Sequence, residues 1–153
     1  MSKKKAHIAY VTLTVAKPSD FKAFPSGAFT KCRVSLKEKT GRVESGPDGA
    51  HRIHHSELGP VVFKVGISPK GGYLPAGIAF ERKGARGKGK LKPGHVGANF
   101  PAEKVSISGG ILTFTDECKS NTAGMSFEYY VLIQRRDGAL GIIDPEIHHD
   151  PNN

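Results

Sequence analysis

The sequence predicts an all-β protein, an antiparallel, immunoglobulin-like β-sandwich of about eight strands. Three observations predict it. Apolar and polar residues alternate with period two in several windows, most plainly Phe127, Tyr129, Val131 and Ile133 against Glu128, Tyr130, Leu132 and Gln134. The chain of 153 residues carries 19 glycines and 10 prolines, both of which interrupt helices, and few windows repeat apolar residues at helical spacing. Turn signals separate the alternating runs, Asp137-Gly138 and Ser108-Gly109-Gly110 among them. The length is that of one domain, 1–153, able to bury a core without metals or disulfides.

In order, His7 to Ala16 reads as the first strand, turned by Lys17-Pro18-Ser19-Asp20. Phe21 to Thr30, with Pro25 and Gly27, reads as a loop or a single helical turn. Cys32 to Lys39 is a strand with Cys32, Val34 and Leu36 inward and Arg33, Ser35 and Lys37 in water. Gly41 to Gly59 reads as a polar excursion around the turn Gly46-Pro47-Asp48-Gly49. Val61 to Ile67 alternates cleanly, Pro69 to Gly72 turns it, and a shorter strand follows at Gly77 to Glu81. Residues 82–99 read as an exposed, basic, glycine-rich loop too polar to pack. Val105 to Ile107 and Ile111 to Thr115 form a hairpin. Asp137-Gly138, in a two-residue type I′ turn, joins the long strand to Ala139 to Ile143, and Asp144-Pro145 opens a polar C-terminal tail, 144–153.

The succession YLPAGIAF, ILTFTDECKSN, FEYYVLIQRRDG and IIDPEIHHDPN resembles small bacterial proteins of the DP-EP type. The resemblance covers the second half of the chain. It implies a β-sandwich and carries no activity or site.

The net charge of +9 belongs to two segments: Lys3, Lys4 and Lys5 in a basic N-terminal tail, 1–6, and six cations between Arg82 and Lys92. Arg82, Lys83, Arg86, Lys88, Lys90 and Lys92, spaced by small residues, can each reach a phosphate, which makes this loop a polyanion-binding candidate. No aromatic residue interleaves them to stack on bases. Gly84 to Lys90 fits the opening of a phosphate-binding loop, but Leu91 stands where a magnesium-binding hydroxyl belongs and Pro93 breaks the helix that should follow.

His51, His54 and His55, and then His148 and His149, are the metal candidates. Adjacent histidines on an extended chain point to opposite sides, so neither pair offers two ligands to one ion, and both groups fall in expected loop or tail. No metal or other cofactor is expected. Cys32 reads as a buried thiol, and Cys118 has no partner histidine in its sequence neighbourhood. Whether the two cysteines meet is not legible. No serine or cysteine sits in a nucleophile elbow.

The basic start followed by AHIAYVTLTVA has some features of a secretion signal, but its strand-like alternation favours a cytoplasmic protein. No apolar run approaches the ~20 residues that cross a bilayer. The expected function is therefore a non-enzymatic β interaction module with a protein partner or a second copy of itself. Non-specific binding of nucleic acid or another polyanion through Arg82 to Lys92 is the alternative, and a metal-dependent enzyme comes third.

Overall fold

The computed structural model describes residues 7–24, 28–46, 49–54, 59–83 and 94–150, with only the backbone at 94 and 95. The expected all-β class is what it shows: eleven strands among the described residues, joined by short helical turns. No helix among them is long and apolar enough to cross a membrane.

One sheet is built from β1 (His7–Thr14), β2 (Arg33–Lys37), β5 (Val61–Ser68), β7 (Ser106–Ser108) and β8 (Ile111–Asp116), in the spatial order β2-β1-β5-β8-β7. The other contains β3 (Val43–Ser45), β4 (His51–His54), β6 (Tyr73–Arg82), β9 (Ser126–Arg135), β10 (Leu140–Ile143) and β11 (Glu146–Asp150). Its axis is β9. β6 pairs along one side of it, while β10 and β11 lie end to end along the other, opposite residues 131–134 and 126–128.

Alternation explains why these segments are strands. In β5, Val61, Phe63, Val65 and Ile67 are buried; in β9, Phe127, Tyr129, Val131 and Ile133 are wholly buried, as expected. The two inner faces meet through aromatic rings. Phe114 of the first sheet lies 5.0 Å from Phe63 beside it and 5.0 Å from Tyr129 across the core, and Phe80 stacks on Phe100 at 4.4 Å.

Five expectations are corrected. The arrangement is mixed, not antiparallel: β1 runs parallel to β5, and β4 parallel to β11. After β2 the chain leaves the first sheet to make β3 and β4 in the second, so it re-enters beside β1 in the same direction. The polar excursion of 41–59 holds those two strands, which bury Val43, Ala50 and Ile53. The strand expected at Gly77 to Glu81 is ten residues long and begins at Tyr73. The polar tail is in fact β11, with Ile147 and His149 buried. The basic loop ends early, because Asn99 and Phe100 are buried.

The β9–β10 turn also differs from a two-residue type I′ turn. Gly138 takes φ +91° and Asp137 does not share the left-handed region. The Gly138 amide donates to Arg135 O at 2.9 Å, and Arg135 N donates to Ala139 O at 2.8 Å, which leaves a three-residue loop with Gly138 as the bulge residue.

The far edge of β10 is covered. Phe24 N and Thr30 N donate to Leu140 O and Ile142 O, each at 2.8 Å, so these two residues bond to that strand's outer side. Gly141 permits the approach: a Cβ there would lie 2.9 Å from Phe21 Cε2 and from Thr30 Oγ1, and 3.0 Å from Lys22 O. Gly141→Ala should therefore destabilise the fold by about 1–3 kcal/mol, seen as a lower urea midpoint with an unchanged slope. An unshifted midpoint would contradict this packing.

Candidate metal centre

Strand β8 places Leu112, Phe114 and Asp116 on its inner face, so the alternation that builds the core also drives a carboxylate into it at the strand's end. Asp116 is fully buried. An isolated buried carboxylate costs several kcal/mol, so its oxygens must be satisfied. Asn99 Nδ2 donates to Oδ1 at 2.7 Å, and the Cys118 backbone N–H donates to the same oxygen at 2.8 Å. That second bond closes a tight turn in which Cys118 takes φ +50°, a left-handed conformation unusual for a non-glycine residue. Asn99 also accepts from Lys119 N at 3.0 Å. The segment after β8 is thereby fixed at both ends.

The other oxygen, Oδ2, faces His149 Nε2 at 2.5 Å. His149 lies on the inward face of β11, fully enclosed and packed 5.2 Å from the Phe127 ring. Its Nδ1 is 3.1 Å from Thr122 O and 3.0 Å from Thr122 Oγ1. The Thr122 hydroxyl donates to Lys119 O at 2.7 Å, so both Thr122 oxygens accept from His149 Nδ1–H. Nε2 is therefore the nitrogen directed at Asp116, and a proton lies between it and Oδ2.

Cys118 completes the group. Donor atoms of Asp116, Cys118 and His149 all lie within 4.8 Å of one another. Burial and then the Asp116 carboxylate push the Cys118 thiol far above its ordinary range, against the pull of the Arg42 guanidinium beside it. Arg42 is itself 4% exposed; its Nη2 donates to Gly59 O at 3.1 Å, while Nε and Nη1 make no well-formed hydrogen bond among the described residues and the guanidinium lies beside the Cys118 sulfur. A buried guanidinium beside a thiol favours an anionic sulfur over a neutral one.

The arrangement is poorly suited to a nucleophilic thiol. A base must direct one ring nitrogen at the sulfur while an orienting group holds the other. Here Thr122 holds Nδ1 and Asp116 holds Nε2. A metal site has the opposite requirement, a histidine whose far N–H is fixed on a carbonyl so that its other nitrogen faces the ion. His149 meets it.

The candidates from sequence are scattered. His51 is buried, His54 Nε2 pairs with Glu44 at 3.1 Å, and His148 faces away from the core between Ser126 Oγ at 2.8 Å and Glu146 Oε2 at 3.1 Å. His148 and His149 do point to opposite sides, but they do so from a strand. His55 lies outside the described residues, as do Arg86, Lys88, Lys90 and Lys92. Arg82 ends β6, and Lys83 Nζ pairs with Glu146 Oε1 at 2.7 Å. Neither cysteine forms a disulfide, and burial, with Asp144 nearby, raises the Cys32 thiol to about 12. Sequence reasoning missed Asp116, Arg42, Asn99 and Thr122, and the histidine that comes near Cys118 is His149, distant in sequence. The available signal was Asp116-x-Cys118 at the end of an alternating strand. No protein-family model, curated protein or solved structure matches the chain.

His51 serves the core. It stacks on Phe63 and Tyr129 at 5.5 and 5.7 Å, and its Nε2 is hydrogen-bonded to the Tyr129 hydroxyl at 2.7 Å. Burial lowers its pKa from 6.5 to about 4. Between those values the unfolded chain holds the extra proton, so stability is complete above pH 6.5 and falls as the pH drops towards 4. The loss is roughly 3 kcal/mol. Thermal melts should show a lower midpoint at pH 4.5 than at pH 7, with a smaller difference in His51→Phe; equal differences would contradict the assignment.

Proposed function

We propose that this protein binds one divalent transition-metal ion of the zinc class through Asp116 Oδ2, Cys118 Sγ and His149 Nε2. The observation that carries the reading is the convergence of these three donors within 4.8 Å, with His149 already held in the ligating tautomer by Thr122. One oxygen, one sulfur and one imidazole nitrogen form a borderline-soft set that suits zinc and its neighbours better than magnesium or calcium.

The charge balance supports it. A divalent ion displaces two protons, one from the Cys118 sulfur and one from between His149 and Asp116, so the net charge of this buried site does not change. The thiolate becomes a ligand because the metal ionises it, which the surroundings alone oppose. Arg42, already beside the sulfur, then faces a thiolate and not a thiol. Three protein ligands leave a coordination position for water or an outside ligand, and Cys118, only half-buried, marks the approach.

Self-association through a strand edge has less behind it, since Phe24 and Thr30 already bond to the edge of β10. An immunoglobulin-like assignment has the two facing sheets in its favour and the parallel neighbours against it. The DP-EP likeness plays no part in the metal reading.

Titration of chelator-treated protein with Co²⁺ and then Zn²⁺ tests the proposal. One equivalent should bind with a thiolate-to-cobalt charge-transfer band, and Zn²⁺ should raise the melting temperature. Cys118→Ser should remove the band, and Thr122→Val, which frees His149, should weaken binding by about 10–100-fold. Parent-like affinity in Cys118→Ser, with melts showing both proteins folded, would overturn it.

A further inference from the structure

The outward face of the first sheet has a composition that its role as a wall of the core does not require. Outward positions of β1, β2, β5, β7 and β8 include no Asp or Glu. They include Arg33, Lys37 and Lys64, in a chain whose net charge is +9. At the centre stands Tyr10, 53% exposed. The strand registers place Tyr10 directly opposite Lys37 on one side and Lys64 on the other. One row therefore reads cation, aromatic ring, cation across three strands, with the two lysines about 9.6 Å apart at their backbones.

The next row along the strands reads Ser35, Thr12, Gly66 and Ile111. Gly66 leaves a dent beside Tyr10, and Ile111 leans over it, its Cδ1 3.3 Å from where a Cβ would sit. The result is a groove of about 510 Å³ lined by Tyr10, Thr12, Lys64, Ser108 and Ile111. A second hollow of about 570 Å³ shares Thr12, Gly66 and Ile111 with it and extends to Leu74 and Lys70. Together they form a shallow track with an exposed ring at one end, cations along it, and hydroxyls able to reach polar edges.

We propose that this face binds single-stranded nucleic acid, with a base stacked on Tyr10, the neighbouring base in the dent at Gly66, and phosphates on Lys37, Lys64 and Arg33. Charge complementarity selects a polyanion. The exposed ring selects bases over a bare anionic polymer, since base–aromatic stacking tolerates any sequence. The shape selects single strands: a flat sheet inserts into neither groove of a duplex, and paired bases keep their faces stacked on one another. Hydroxyl and glycine neighbours without a dedicated donor–acceptor set give binding with little sequence preference.

Fluorescence anisotropy of labelled oligo(dT) of about sixteen nucleotides at low salt, with the full chain, tests this. Tyr10→Ala should weaken binding about ten-fold. Lys37→Glu with Lys64→Glu should weaken it further and flatten the salt dependence, from a log–log slope of about −2 for three phosphates to about −0.7 for the one left on Arg33. Gly66→Val, which fills the dent, should weaken binding without altering that slope. All of these positions lie on the outer face, and melting curves confirm that each variant is folded. Parent-like affinity in the Tyr10 and lysine variants overturns the proposal. So does loss confined to Arg86→Ala/Lys88→Ala/Lys90→Ala, which assigns binding to the basic loop. Equal affinity for duplex of the same length, or binding of anionic vesicles in place of oligonucleotide, also overturns it.

Discussion

The interaction on which the rest of this structure depends is the buried Asp116 carboxylate and the groups gathered around it. Asp116 belongs to the first sheet and His149 to the second, so their 2.5 Å contact joins the two layers at one end of the core. Asn99 and the Cys118 amide hold the other oxygen, which anchors both the segment entering β7 and the one leaving β8. Removing any one donor would leave part of a charge in a dry interior, which is costlier than losing an ordinary surface hydrogen bond. The same constraint gives the final strand its place. His149 can reach Asp116 only if β11 continues the line of β10, with Ile147 inward against the core.

This origin explains why a chemically varied cluster sits in an otherwise apolar sandwich of side chains. Arg42, Asp116 and His149 are each enclosed, and each has at least one polar atom directed towards the common centre or the thiol beside it. A purely structural hydrogen-bond network would be expected to satisfy its members. Here two nitrogens of Arg42 make no well-formed hydrogen bond among the described residues, and Cys118 holds a left-handed backbone conformation. Strain and unmet donors concentrated at one point mark a place shaped by something besides folding.

The sequence made the long strands legible and concealed the short ones. β5 and β9 each present four buried residues at period two and β1 three, and such runs are readable because hydropathy and geometry agree. In β11 the inward positions are Ile147 and His149, one apolar and one imidazole, and the flanking Glu146, His148 and Asp150 look like a solvated tail. β3 and β4 are three and four residues long, inside a stretch punctuated by glycine, so their alternation had no room to show. Parallel pairing of β1 with β5 depends on where the chain returns after visiting the other sheet, which no local pattern records. The candidate centre was hidden for the same reason: its ligands come from the end of β8, the turn after it and β11, and Arg42 precedes β3. Only the pairing of β11 with β4 and β9 brings them together.

The central claim, that these donors form one metal centre, is most directly tested by X-ray absorption at the zinc edge of the zinc-loaded protein. A mixed shell is expected, with one sulfur at about 2.3 Å and the remaining ligands, nitrogen and oxygen, at about 2.0–2.2 Å. A shell of nitrogen and oxygen alone would place the ion away from Cys118 and contradict the account.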